Sequence, residues 1–156
     1  MSSLECKIVE QQVSGVRCFI ISGYVSEHAQ FPKVEKNDPL IIKFHNVTGL
    51  NSVGTRTWVQ WFQPLQSVAS VTLEEVPSIF IKAFNRVVGT TIPNMKVKSF
   101  FVPFLSPEGE RKDILFVEGR DFNSEGRVLT PPKIQDNAGK TLELDVLDDY
   151  FQFLKK

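Results

Sequence analysis

Phe44-His-Asn-Val-Thr-Gly-Leu-Asn-Ser-Val-Gly-Thr-Arg-Thr-Trp-Val-Gln-Trp-Phe62 is the stretch on which the reading of this chain turns. Just upstream, Leu40, Ile41 and Ile42 join Phe44 in a short, nearly continuous apolar run, the pattern of a strand covered on both faces. Downstream, Trp58, Trp61 and Phe62 recur at the i, i+3, i+4 spacing of one helix face, and Leu65 extends that face by a turn. Between them, Asn51 and Ser52 can each cap a helix by accepting a hydrogen bond from its unpaired N–H groups, and Gly49 and Gly54 allow a sharp turn. The stretch therefore predicts the end of a buried strand, a tight loop and the start of an amphipathic helix.

Working outward, residues 7–12 and 17–22 alternate around Ser14-Gly15, which predicts a hairpin with Val9 against Ile20 and Val13 against Val16. In that register residue numbers sum to 29, so Cys18 faces Gln11 and Cys6 faces Gly23. The two cysteines then do not meet, and each reads as a small apolar group rather than half of a disulfide. Pro32 stops residues 28–31 from continuing as a helix, and residues 36–39 form a polar break before the central strand. After the first helix, Pro64 ends the helical run and residues 68–75 are β-branched enough for a strand. A second helix is expected from Pro77, with a stripe of Phe80, Ala83, Phe84 and Val87, closed by Gly89. Residues 97–103 read as one last strand. This order predicts an α/β fold, a mixed sheet with helices packed largely on one face, because strand–helix–strand crossovers are right-handed.

The joint at residues 44–62 resembles the signature of STAS domains, the fold of anti-sigma-factor antagonists. There an apolar strand runs into a loop of the form Asp-Ser-Ser-Gly or Asn-Ser-x-Gly at a helix N-terminus. Here that loop reads Asn51-Ser52-Val53-Gly54, and the element order is similar over residues 1–103. The resemblance implies a bacterial regulatory module whose loop and following helix contact a protein partner: a regulatory kinase, a sigma-pathway component or a transporter ATPase. In antagonists that a kinase switches, the phosphorylated Ser or Thr directly precedes the loop glycine. Val53 holds that position and has no hydroxyl, so switching there is excluded, and Ser52 is read as a helix cap rather than a displaced acceptor.

Residues 104–156 exceed what such a domain needs and predict a β-rich extension ending in a short helix, on which Leu147, Tyr150, Phe151 and Leu154 share a face. The segment resembles a zinc ribbon that some bacterial STAS-like proteins carry after the last strand. Pro103-Phe104 and residues 139–145 match the flanks, but the four cysteine positions are Ser106, Gly109, Ile134 and Asn137. None supplies a thiolate, so no zinc is expected. Either a ribbon persists without metal, with Ile114 and Phe116 packing toward Leu142 and Leu144, or the segment is an unrelated hairpin extension.

The composition narrows function by exclusion. Lysines plus arginines equal aspartates plus glutamates at 18 each in 156 residues, so no global field draws nucleic acid or an anionic membrane. Lys96, Lys98, Arg111 and Lys112 could gather locally, as any surface allows. The first residues lack a charged-then-apolar leader and no apolar run approaches the ~20 residues of a bilayer span, which predicts a cytoplasmic protein without membrane insertion. His28 and His45 stand apart from any acidic or cysteine cluster at ligand spacing, Asp148-Asp149 reads as a solvated face, and Glu74-Glu75 reads as charge favouring the second helix's N-terminus.

No nucleophile and base, phosphate loop or cofactor motif is evident, so no residue is nominated as catalytic and no cofactor is expected. The candidate recognition residues are Thr48, Asn51, Ser52, Gly54 and Arg56, for a protein partner. The alternative is a sensor binding a nucleotide or another anion at the helix N-terminus between Asn51 and Gly54.

Overall fold

The computed structural model describes residues 5–35 and 37–155. Strand β1 (Lys7–Val13) turns through Ser14 and Gly15, both at positive φ, into β2 (Val16–Val25). Two positive φ values make the two-residue turn whose twist suits a hairpin. The register is the expected one, with Lys7 opposite Ser22 and Gln11 opposite Cys18. Strand β3 (Leu40–Leu50) lies parallel to β2, followed by α1 (Ser52–Phe62) and a 3-10 turn at Gln63–Ser67 that contains Pro64. Then come β4 (Val71–Glu74), α2 (Ser78–Arg86) and β5 (Met95–Val97). These strands form a mixed sheet in the order β1-β2-β3-β4-β5, antiparallel at the hairpin and parallel thereafter.

One face of this sheet carries Phe19, Ile21, Leu40, Ile42, Phe44, Val71 and Leu73, all buried and directly aligned across the ladder. Both helices pack on it. Phe44 lies 4.8 Å from Phe80 of α2 and 6.1 Å from Trp58 of α1, ring centre to ring centre, and Trp58 stacks on Phe62 at 4.4 Å. Burying an aromatic side chain removes 150–250 Å² of surface from water, so this cluster is the main reason the layers stay together. On the opposite face Ile20 and Ile41 are half-buried and stand outside the core cluster, and Val9 and Val13 are exposed. No helix packs there among the described residues.

The loop expected after Phe44 is strand as far as Leu50. The β2–β3 register slips twice between Ile21 and Tyr24, and Asn46 takes φ 51°, so extra residues of β3 are absorbed as bulges and pairing resumes. A Cβ on Gly49 would overlap the Tyr24 ring beside it.

The apolar run read as one strand over residues 97–103 is two. The chain leaves the first sheet at Val97, and β6 (Ser99–Leu105) starts the second, with β7 (Arg111–Val117), β8 (Lys133–Gln135) and β9 (Thr141–Leu144) in antiparallel order β7-β6-β9-β8. Lys98 is the hinge: its N–H donates to Leu73 O at 2.8 Å and its carbonyl accepts from Glu118 N at 3.0 Å. Phe100, Val102 and Phe104 alternate on the buried face of β6, and Phe100 and Phe104 pack on Phe116 of β7. Ile114, Leu142 and Leu144 join the same core, with Leu144 paired to Phe104, so β6 lies between β7 and β9.

Three turns in residues 104–156 repeat one construction, at Ser106, Asn123 and Asp136. In each, the residue's N–H donates four positions on, to Glu110 O, Arg127 O and Lys140 O, at 2.9 Å every time. Its side-chain oxygen accepts the returning N–H of that same residue, at 3.1, 2.9 and 2.9 Å. The fourth residue is a glycine at φ 83°, 83° and 80°.

The chain closes on a 3-10 helix, Asp148–Lys155, rather than an α-helix. Its period of three brings Tyr150 and Phe153 inward, with Phe151 and Leu154 partly buried, and leaves Leu147 78% exposed. Phe153 lies 4.9 Å from Phe100 and 6.4 Å from Phe84, the Tyr150 hydroxyl donates to Phe101 O at 2.6 Å, and Asn85 Nδ2 donates to Tyr150 O at 2.9 Å. The terminus thus wedges between α2 and the second sheet, and the buried residues of both sheets form one hydrophobic cluster.

Candidate functional site

The strand–helix joint is built by backbone approach. The Asn51 N–H donates to Val25 O at 3.2 Å, which ties the end of β3 to the end of β2. The Asn51 side chain then turns inward, and its Oδ1 accepts the Gly54 N–H at 2.7 Å, which caps the helix. The loop glycine has a reason to be glycine: a Cβ at position 54 would overlap the Val25 carbonyl oxygen. Thr55 reinforces the first turn by donating both N–H and Oγ1 to Asn51 O, at 2.9 and 2.8 Å.

The five residues nominated from the sequence divide between two duties. Asn51 is half-buried and Gly54 buried, and both serve the joint. Thr48, Ser52 and Arg56 are exposed, with Ser52 and Arg56 one turn apart on the outer face of α1 and Val53 exposed beside them. The cap is Asn51 alone. Ser52 is the first helical residue, and neither its hydroxyl nor the Arg56 guanidinium bonds to another described residue.

The two tryptophans are spent inside. Trp58 is 1% exposed and its Nε1 donates to Thr90 O at 3.1 Å. Trp61 is half-buried, donates to Pro32 O at 2.7 Å and stacks on Phe31 at 4.7 Å. The segment around Pro32, where the sequence predicts only that a helix cannot continue, covers this part of α1.

Glu27 reaches the joint from 24 residues away in sequence, a neighbour that no local pattern announces. Its Oε2 accepts from Asn51 Nδ2 at 3.4 Å, and its own backbone N–H together with Asn51 holds the carboxyl below the ordinary range. A carboxylate therefore already stands beside the helix N-terminus, where the helix dipole favours negative charge.

Three of the four tail cations are paired: Lys96 meets Glu118 at 2.8 Å, Arg111 meets Asp113 at 3.0 Å and Lys112 meets Asp136 at 3.5 Å, while Lys98 is exposed. Glu75 pairs with Lys43 at 3.1 Å. His28 and His45 are exposed, and Cys6 and Cys18 are free thiols.

Among the described residues no three His, Cys, Asp or Glu side chains gather as metal ligands. At the ribbon-like positions, Ser106 and Gly109 belong to one turn, Asn137 to another and Ile134 to β8. The ion pair of Lys140 with Glu108 at 2.7 Å joins those turns, and Lys112 of β7 reaches Asp136 in the second. A cleft of about 670 Å³ runs beside β5 past Ile92, Val97, Phe122 and Leu154; its ionisable groups, Lys96 and Glu118, neutralise each other. No helix among the described residues is long and apolar enough to cross a membrane.

Compared with protein-family models, curated proteins and solved structures, the chain finds no match.

Proposed function

We propose that this chain is a non-catalytic regulatory module of STAS-like fold that binds a protein partner through the exposed rim of the joint, Thr48, Ser52, Val53 and Arg56. The observation that carries the reading is the division of labour at the loop. Asn51 and Gly54 fix the backbone from within, while Ser52, Val53 and Arg56 stand outward on a helix anchored by Trp58. A rim offering a cation, a hydroxyl and a small apolar group on a backbone fixed from within suits a protein surface, because little backbone freedom has to be given up on binding. By analogy with STAS modules the partner is a bacterial regulatory kinase, a sigma-pathway protein or a transporter ATPase. The module is not switched by phosphorylation before the loop glycine, since Val53 has no hydroxyl.

The anion-sensor alternative draws on the Ser52 and Val53 N–H groups, which precede the capped Gly54 N–H in the first turn. The Glu27 carboxylate beside Asn51 opposes it by like-charge repulsion.

The test is affinity capture from the native host's lysate, comparing wild type with a Ser52→Asp, Arg56→Glu double variant shown by circular dichroism to stay folded. Partners held by the wild type and lost with the variant support the reading. Identical capture by both overturns it. If neither captures a protein and inorganic phosphate raises the melting temperature saturably, the sensor takes its place.

A further inference from the structure

We propose that a second copy of this chain pairs with the outer edge of β1, antiparallel about a two-fold axis at Gln11, to make one sheet continuous across both copies. A two-residue turn makes Val13 and Val16 a hydrogen-bonded pair, so Val13, Gln11, Val9 and Lys7 spend their backbone groups on β2. Ile8, Glu10 and Gln12 then point their N–H and C=O groups outward, and no described strand pairs with them.

The other sheet edges are guarded. β5 and β8 are three residues long, and β7 begins with the charged run Arg111, Lys112 and Asp113. β1 has seven residues in unbroken register, no proline and no bulge, and Lys7 at one end is its one lysine. Such an edge is a template for another strand. Its single acid, Glu10, is neutralised by Arg17 on β2 through bonds of 2.7 and 3.0 Å.

The edge also complements itself. Antiparallel pairing in which residue numbers sum to 22 sets Glu10 against Gln12 of the second copy as hydrogen-bonded pairs, twice over. The closer, non-hydrogen-bonded positions then hold Val9 against Val13, also twice, with Gln11 against Gln11 on the axis. Val9 and Val13 are 57% and 42% exposed in the single chain, so the pairing covers two apolar side chains per copy that the fold leaves in water. No like charges face each other in this register. The alternative register centred on Glu10 would oppose two carboxylates and set Lys7 against Val13. The joint at residues 48–56 lies on other elements, so this contact stands or falls separately from the partner proposed above.

The experiment is light scattering after size exclusion, on the full chain, with two variants. Gln12→Pro removes an outward N–H that β2 does not use, and proline is tolerated at such edge positions. Gln11→Cys, made with Cys6→Ser and Cys18→Ala because Gln11 lies opposite Cys18 within the hairpin, places one thiol per copy on the axis. The proposal expects a dimer for the wild type at concentrations on the order of 100 µM, a monomer for Gln12→Pro with an unchanged circular dichroism spectrum, and a disulfide-linked dimer for the Gln11→Cys protein under mild oxidation. A wild type that stays monomeric, or a dimer whose Gln11→Cys form does not cross-link, overturns it, whether or not Gln12→Pro folds.

Discussion

Asp121 shows what one residue holds together in the loop between β7 and β8. Its Oδ1 accepts from the Thr130 hydroxyl at 2.6 Å, and its Oδ2 accepts from Val117 N at 2.9 Å and Arg120 Nε at 2.8 Å. Burial pushes the carboxyl up, but the hydrogen bonds from Thr130, Val117 and Arg120 outweigh it and leave Asp121 below the ordinary carboxylate range. A depressed folded value means that the stabilisation is complete above the unfolded value of about 4 and is lost as pH falls through the folded one. Asp121→Asn should therefore lower the urea midpoint at pH 6, by about 2 kcal/mol of stability, and shrink the loss of stability between pH 5 and pH 3. Equal midpoints at pH 6 would contradict this. Tyr150→Phe should cost about 1 kcal/mol in the same assay, because Phe101 O loses the bond at 2.6 Å. At this scale the sequence was partly legible. Asn51 as a cap and Gly54 as a special position could be read from their order, whereas Glu27 and Pro32 reach the joint only through the tertiary fold.

Among the elements, the hairpin and α1 were legible because their periods are undisturbed and turn residues bound them; α2 was legible only in part, since it ends at Arg86 short of Gly89, and Val87, read as part of its stripe, is extended and exposed while Ile81 is buried instead. The rest was hidden for identifiable reasons. β3 runs past its predicted end because bulges with Asn46 at positive φ let pairing resume, which hydrophobic spacing does not encode. The run at 97–103 conceals a change of sheet at Lys98, since alternating apolar residues look the same in either sheet. The terminal segment fits an α stripe through Leu147, Tyr150, Phe151 and Leu154, yet it folds as a 3-10 helix directed by Tyr150 and Phe153. Phe153→Ala removes a ring wedged between Phe84 and Phe100 and should cost about 3–5 kcal/mol in chemical denaturation. Leu147→Ala, at a residue 78% exposed, should change stability by less than about 0.5 kcal/mol. An α-helical terminus buried through Leu147 would give comparable losses for both.

For the whole molecule, the core cluster runs without interruption from Phe19 in the first sheet to Phe153 at the terminus. Fluorescence of Trp58 and Trp61, which lie over the first sheet, and far-ultraviolet circular dichroism, which reports both sheets, should follow one coincident unfolding curve. Separate curves would mean that the two sheets unfold independently. The central claim is that the loop at residues 51–54 is first a backbone joint, which leaves only its exposed rim for the recognition proposed above. Its most direct test is the sign of the stability change on Gly54→Ala, measured by urea denaturation. At a helical position with space to spare, that change stabilises by about 1 kcal/mol through helix propensity. Against the Val25 carbonyl the added methyl must push α1 off β2, so the account predicts a loss of about 1–3 kcal/mol. A Gly54→Ala protein as stable as the wild type, or more stable, would contradict it.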